Sequence, residues 1–232
     1  SSFSLASTAM DFSKNWVAGS SSPEIIFAYV NNSRASSPLN FTLYVNDTDG
    51  SWNYAPSDWC YNSLFADDNT LSRKGDVRLK ATFTSQDANR VIKYPNGTYQ
   101  LAETSDYTCT PVVISRISEM YLIKAEALGK TNGAAALVEY MKKRYTTAPS
   151  EAAIKALSDK EYQTLILDER RREFYAEGMR WQDIKRTNRL ELLETLDGRT
   201  YLMYYPIPQD EIDMAGTVAY PQNPGYAGYT GN

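Results

Sequence analysis

The sequence predicts a mainly α fold with a minor α+β portion: helix hairpins, a few short strands and long loops. Three observations carry that prediction. Ser158 is followed three residues later by Glu161, the reciprocal capping arrangement that marks a helix start, and Tyr162, Leu165, Ile166, Leu167 and Phe174 then form one apolar face. Two stretches rich in small residues, up to Leu128 and from Ala134, are separated only by Gly129 to Gly133, the pattern of a helical hairpin. The β-prone runs are short and fall within the first 110 residues.

In that first segment, 1–110, EIIFAYV (24–30) lies between Pro23 and Asn31 and reads as a buried strand. LNFTLYV (39–45) alternates Phe41, Leu43 and Val45 on one face, as a second strand would. The loop NDTDGSWNYAPSDW (46–59) is built of turn residues yet carries Trp52, Tyr54 and Trp59. Aromatics in a polar loop are what a sugar site requires, because the apolar face of a pyranose stacks on a ring while amides and carboxylates take its hydroxyls. Trp52 and Tyr54, with Asn46, Asp47, Asp49 and Asn53 beside them, supply both halves. The other reading folds the rings inward as loop anchors, and for Trp52 and Tyr54 both stay open. Trp59 is expected to be such an anchor, since 57–65 looks like a helical turn after Pro56. VIKYPNGTYQL (91–101) places Asn96-Gly97 between β-prone flanks, a hairpin that Pro95 confines to an edge.

The second segment, 111–197, is helical. From Ile114 onward, Ile114, Ile117, Tyr121, Ala125 and Leu128 share one face, and the returning arm to Tyr145 turns Leu137, Val138 and Met141 inward. The alanines at 125, 127, 134, 135 and 136 let the two arms approach closely. Asp168 to Arg186 makes the next pair, with Gly178 as the stop of its first helix and Trp181, Ile184 and Leu190 on its second. In the third segment, 198–232, Pro206, Pro208, Pro221 and Pro224 forbid long helices, and Tyr201 to Tyr205 is expected to add a short strand.

Within 168–186 the charges are unusual. Glu169, Glu173 and Glu177 recur every four residues, and like charges at that spacing repel by roughly 0.2–0.5 kcal/mol per pair. Arg170, Arg171, Arg172, Arg180, Lys185 and Arg186 are the nearby candidates to offset this, and a planar guanidinium can bridge two carboxylates. The expectation is a buried or half-buried lattice of Glu169, Arg170, Glu173, Glu177, Arg180, Asp183 and Arg186 that clamps one helix end onto the next. The alternative is paired carboxylates doing acid–base work in a glycoside hydrolase. So many arginines would hold every carboxylate ionised, which favours the structural reading.

Composition narrows the classes. At 232 residues the chain is long enough for a sizeable core, and 42% apolar with 22% charged residues is ordinary for a globular protein. A net charge of −4 argues against a nucleic-acid partner, which demands a basic face. No apolar run approaches the ~20 residues that cross a bilayer. The absence of histidine removes the Ser–His–Asp triad, histidine zinc sites and di-iron helices together. No catalytic residue, metal site or cofactor is therefore expected. Cys60 and Cys109 are too few for a thiolate cage; they either pair in an oxidising compartment or remain buried thiols.

The run DERRREFYAEGMRWQDIKR (168–186) resembles the ER..EF..EG.RW.D.KR signature of the SusD/RagB family of surface glycan-binding lipoproteins of Bacteroidetes-type bacteria. Glu169, Arg170, Glu173, Phe174, Glu177, Gly178, Arg180, Trp181, Asp183, Lys185 and Arg186 fill it. ISRISEMYLIKAEAL (114–128), YPIPQDEI (205–212) and QNPGY (222–226) resemble further family segments in the family's order. Asp76 and Arg78 resemble its structural D-x-R element. The resemblance implies tetratricopeptide-like helix pairs and a non-catalytic role: capture of an oligosaccharide at the cell surface for a TonB-dependent, SusC-like outer-membrane transporter. It implies outer-membrane localisation through a lipid anchor. The opening SSFSLASTAM has no basic region, apolar region or lipid-accepting cysteine, so the expectation is that 1–232 is one C-terminal domain without the N-terminal half of the family fold. Family ligand sites lie in variable loops, so the resemblance transfers no binding residue. A helical interaction scaffold without a glycan site is the remaining alternative.

Overall fold

The computed structural model describes residues 3–17, 22–29, 55–83, 91–93, 111–193, 196, 198–215 and 221–227. The chain divides into two compact units, Ser1–Glu177 and Gly178–Asn232. The division falls inside the signature stretch.

In the first unit the order is α1 (Ala9–Ser13), β1 (Ile25–Tyr29), β2 (Lys74–Asp76), α2 (Val77–Thr82), β3 (Val112–Arg116), α3 (Ile117–Arg144), β4 (Tyr145–Thr147), α4 (Glu151–Ala156) and α5 (Asp159–Glu173). The architecture is mainly α. The strands form two antiparallel pairs, β1 with β3 and β2 with β4. β1 is the expected strand but it is not buried: Phe27 and Tyr29 are exposed, because a two-stranded ribbon can cover at most one of its faces. The residues expected to open the next helix at Ile114 instead belong to β3, and α3 begins at Ile117.

α3 is a hairpin in the sense the alanines implied. It breaks at Gly129, whose φ of 65° and ψ of 175° no side-chain-bearing residue adopts cheaply. The turn is that single residue, and Gly133 already belongs to the returning arm. A Cβ on Gly133 would lie 2.2 Å from the Ala125 carbonyl oxygen, which also accepts a 2.8 Å hydrogen bond from the Tyr162 hydroxyl of α5. The arms therefore meet backbone to backbone. The buried face of the first arm is Ser118, Leu122 and Ala125, turned by about one residue from the face expected, and Ile114 and Leu128 are exposed. Ser118 and Ala125 are buried beside Leu122, while Met120 and Ile123 are exposed. Leu137, Val138 and Met141 point inward as expected. Gly133→Ala is thus expected to destabilise by about 1–3 kcal/mol through overpacking, although helix propensity alone would favour it by up to ~1 kcal/mol. Thermal unfolding decides; an unchanged or raised melting temperature would refute the close approach.

α5 starts with the capping box read from Ser158 and Glu161: the Glu161 amide donates to the Ser158 hydroxyl at 3.2 Å and the Ser158 amide to the Glu161 carboxylate at 2.7 Å. It ends at Glu173, one turn before the expected stop. Ala176 then takes φ 65° and Gly178, at φ 78°, stands at the start of the next helix. Around these elements lie two apolar clusters among the described residues. Cys60, Leu64, Phe65, Phe83 and Val91 pack with Tyr175; Ala6, Phe12, Trp16 and Ala81 form the other. Cys60 is a free, buried thiol, and Cys109 lies outside the described residues.

The second unit holds α6 (Met179–Thr187), 3-10 turns at Leu190–Leu192 and Thr200–Met203, and α7 (Gln209–Met214). The strand expected over 201–205 is that second 3-10 turn followed by an extended Tyr204. α7 escaped sequence reading, although Pro208 stands at its N-cap, where a missing N–H has no intrahelical partner to lose.

Candidate functional site

The acidic ladder lies in the first unit, and its partners come from far along the chain. Glu173 is fully buried. Its carboxylate accepts from Arg116 at 2.6 Å, from Arg144 at 2.9 Å, from Arg78 at 3.3 Å and from the Tyr140 hydroxyl at 2.7 Å. Burial alone would raise its pKa, but the guanidinium groups of Arg144, Arg116 and Arg78 outweigh it and hold the carboxyl well below the usual range. Glu169, also buried, accepts from Arg78 at 2.9 Å, Arg172 at 2.9 Å and the Tyr145 hydroxyl at 2.6 Å. Its pKa is likewise lowered: burial opposes this, and Arg78, Arg172 and Arg73 prevail.

Glu177 does not continue α5; it sits in the turn beyond it, salt-bridged to Lys93 at 2.6 Å and Arg116 at 2.8 Å. Lys93 also donates to the carbonyls of Glu173 and Tyr175, and Arg116 to that of Glu173. The helix ends here because buried cations take the carbonyl groups that a helix C-terminus leaves unpaired. Burial pushes the Lys93 ammonium down to about 8 against the pull of Glu177, so it stays cationic at neutral pH.

Two buried partners complete the lattice. Glu24, just before β1, accepts from the Ala6 amide at 2.6 Å and pairs with Arg144 at 2.8 Å. Asp76 caps α2 and holds Arg78 through both of its oxygens, at 2.9 and 2.7 Å. One charged network thereby ties the N-terminal segment, α2, β3, α3 and α5.

The nearby arginines play other parts than expected. Arg172 reaches the ladder, at Glu169. Arg170 pairs with Glu119 of α3 at 3.3 Å, and Arg171 lies over the Trp59 ring, 4.3 Å from its centroid. Trp59 is 45% exposed, an arginine platform rather than the inward anchor expected. Arg180, Asp183 and Arg186 belong to α6 of the second unit, where Asp183 pairs with Arg186 at 2.9 Å. Buried carboxylates each held by guanidinium groups offer no free acid or base to a substrate, so Glu169 and Glu173 cannot serve as the hydrolase pair. Among the described residues no group of three or more histidines, cysteines, aspartates or glutamates could hold a metal ion. The proposed sugar contacts Asn46, Asp49, Trp52, Asn53 and Tyr54 lie outside the described residues.

The second unit shows a feature that sequence reading missed. The segments 205–212 and 222–226 clasp each other. The Gln222 side chain accepts from the Ile207 amide at 2.7 Å and donates to the Ile207 carbonyl at 2.8 Å. Asn223 donates to the Tyr205 carbonyl and the Tyr226 hydroxyl to the Tyr204 carbonyl, at 2.8 and 2.6 Å. Gly225, at φ 90°, admits the Tyr201 ring, which a Cβ would strike at 2.3 Å; that ring meets Tyr226 edge to face. Beside the clasp is an open pocket of about 330 Å³ lined by Lys185, Asn188, Thr200, Tyr201, Tyr204 and Pro224, with Leu190 and Met203 below. Three tyrosines in YLMYY next to a proline were the signal available in the sequence.

A model of the SusD family matches residues 67–200. The SusD-like protein P38 of Formosa agariphila is 30% identical over 142 residues, which is 56% of this chain and 27% of that protein. A SusD superfamily protein of Bacteroides thetaiotaomicron superposes with a TM-score of 0.62 at 23% identity, over 94% of this chain and 52% of the other. A laminarin-binding SusD-like protein superposes with a TM-score of 0.51 at 19% identity, over 97% and 54%. The chain thus spans about half the length of these solved structures and about a quarter of the curated relative.

Proposed function

This chain belongs to the SusD family, and on that premise we propose that it contributes to non-catalytic oligosaccharide binding at a bacterial cell surface. The observation that carries the non-catalytic part is the burial of the acidic ladder: Glu169 and Glu173 are consumed in holding the scaffold together. Recognition is then left to loops, through ring stacking and hydroxyl hydrogen bonds, with no bond made or broken. The family relationship and the laminarin ligand of one structural neighbour support a carbohydrate as the partner. In this reading the ligand passes to a TonB-dependent, SusC-like transporter, and a lipid anchor holds the full-length protein at the outer membrane. No helix among the described residues is long and apolar enough to cross a membrane.

Trp52 and Tyr54, flanked by Asn46, Asp49 and Asn53, are the contacts proposed for the ligand. Affinity is modest in such a site, because hydroxyl recognition exchanges water hydrogen bonds for protein ones of similar worth. Glycan-array binding by the full-length protein tests this. Trp52→Ala is expected to weaken the retained glycan by about tenfold, the equivalent of ~1.4 kcal/mol of lost stacking. Undiminished binding by that variant would remove the loop from the site.

A further inference from the structure

We infer that the tyrosine pocket of the second unit is a sugar subsite selective for a pyranose bearing an anionic substituent, a carboxylate or a sulfate ester. The inference rests on the glycan-binding reading and names a ligand class and a place for it apart from the 46–54 loop.

Tyr204 is 63% exposed and Tyr205 90%, whereas most large apolar groups of the unit are at least half covered. The backbone that carries both rings is fixed. The carbonyls of both residues accept hydrogen bonds from the clasp, from Tyr226 to Tyr204 and from Asn223 to Tyr205. An aromatic ring held in water by a fixed backbone is a preformed stacking surface, and preformation lowers the ordering cost of binding. Asn188 and Thr200 place an amide and a hydroxyl on the same pocket, the groups that pair with ring hydroxyls. A volume of about 330 Å³ suits one sugar ring with its substituents and not a long helix or peptide.

The charge decides the ligand class. Lys185 is the one charged side chain among the described residues that line the pocket, and no carboxylate lines it with them. Its ammonium lies 5.9 Å from the centroid of the Tyr204 ring, so a pyranose stacked on that ring brings an equatorial substituent within reach of it. Asn188 at the C-cap of α6, held at φ 52°, sets the pocket edge one turn beyond Lys185. A carboxylate or sulfate on that substituent would give the ammonium a charge-assisted hydrogen bond in addition to its contact with the Tyr204 ring, which a neutral sugar does not.

The test is affinity electrophoresis and calorimetry on the 232-residue chain with three probes: an oligogalacturonate for the carboxylate, a sulfated carrageenan oligosaccharide for the sulfate, and laminaritetraose as the neutral control. At least one anionic probe is expected to bind about tenfold more tightly than the neutral one, with a preference that shrinks as salt rises. Which anionic probe prevails separates the two substituents. Lys185→Gln is expected to abolish the preference for the anionic probe, and Tyr204→Ala to weaken all retained probes about tenfold. Both positions are exposed, and circular dichroism confirms that the variants fold. Equal binding of neutral and anionic probes, or a preference that survives Lys185→Gln, overturns the inference and leaves the glycan-binding reading standing. Failure of the folded chain to retain any probe overturns the inference, whereas the reading itself fails only if the full-length protein binds no glycan on the array.

Discussion

Glu173→Ala is expected to remove about 3–5 kcal/mol of folding stability, the cost of breaking a buried ion pair by deleting one partner. Against the 5–15 kcal/mol typical of a domain, that is enough to unfold a marginal chain. The size follows from what remains: Arg78, Arg116 and Arg144 stay buried, each having lost a carboxylate at 3.3, 2.6 and 2.9 Å. Repulsion among the stranded cations adds to the desolvation that Glu173 had offset. Glu173→Gln keeps the shape and one acceptor oxygen but turns an NH2 donor toward groups that themselves donate, and is expected to fall between wild type and alanine. Urea unfolding followed by circular dichroism measures both. A loss below ~1 kcal/mol for alanine would mean that water reaches the lattice and that burial is not what makes it costly to disturb. An exposed pair such as Lys155–Glu151 serves as the contrast, since surface ion pairs contribute ~0–1 kcal/mol.

Acidification is expected to unfold the first unit through the same groups. Glu169 and Glu173 have folded pKa values below their ordinary 4.5, Glu173 well below it. Above 4.5 the carboxylates are ionised in both the folded and the unfolded chain, and their full contribution to stability is present. Below it the unfolded chain takes up protons that the folded chain refuses, so stability falls with pH until the folded values themselves are passed. The denaturation midpoint should be flat from about pH 7 to 5 and drop steeply from about pH 4.5 downward. Glu173→Gln should show a shallower drop, because one of the two carboxylates is gone. A wild-type midpoint that holds steady to about pH 3 would contradict the guanidinium control of these groups.

How much of this was legible in the sequence depends on how local each cause is. The capping box at Ser158 and Glu161 sits within one helical turn, so residue types and spacing were enough to place the start of α5. The hairpin about Gly129 was visible for a similar reason, as a glycine between two runs of small residues. The buried face of its first arm was misplaced by a residue, because the close approach at Gly133 and Ala125, and not apolarity alone, decides which positions are covered. The end of α5 was misplaced by a turn. What ends it is Lys93 and Arg116, 80 and 57 residues from the carbonyls they bind, and no local pattern announces them.

The lattice divides the same way. That three glutamates at four-residue spacing need cations nearby followed from electrostatics, and the sequence alone sufficed to say so. Which cations they are was decided only by the fold: Arg144 meets Glu24 across 120 residues of chain, and Arg78 meets Glu173 across 95. The adjacent arginines were the natural guess, but side chains on neighbouring helical positions point to different faces; Arg172, three residues on, shares the face of Glu169. The tyrosines of YLMYY were visible in the sequence but the pocket was not, because its walls come from 185–190, 200–204 and 224. Sequence by itself determined the start of α5, the family signature and the lack of histidine, all matters of residue type or of spacing over one or two turns. Tertiary structure decided the charge partners, the helix end and the exposed rings, because a buried charge is satisfied by whatever group the fold carries to within 3 Å of it, and chain order has no part in that choice.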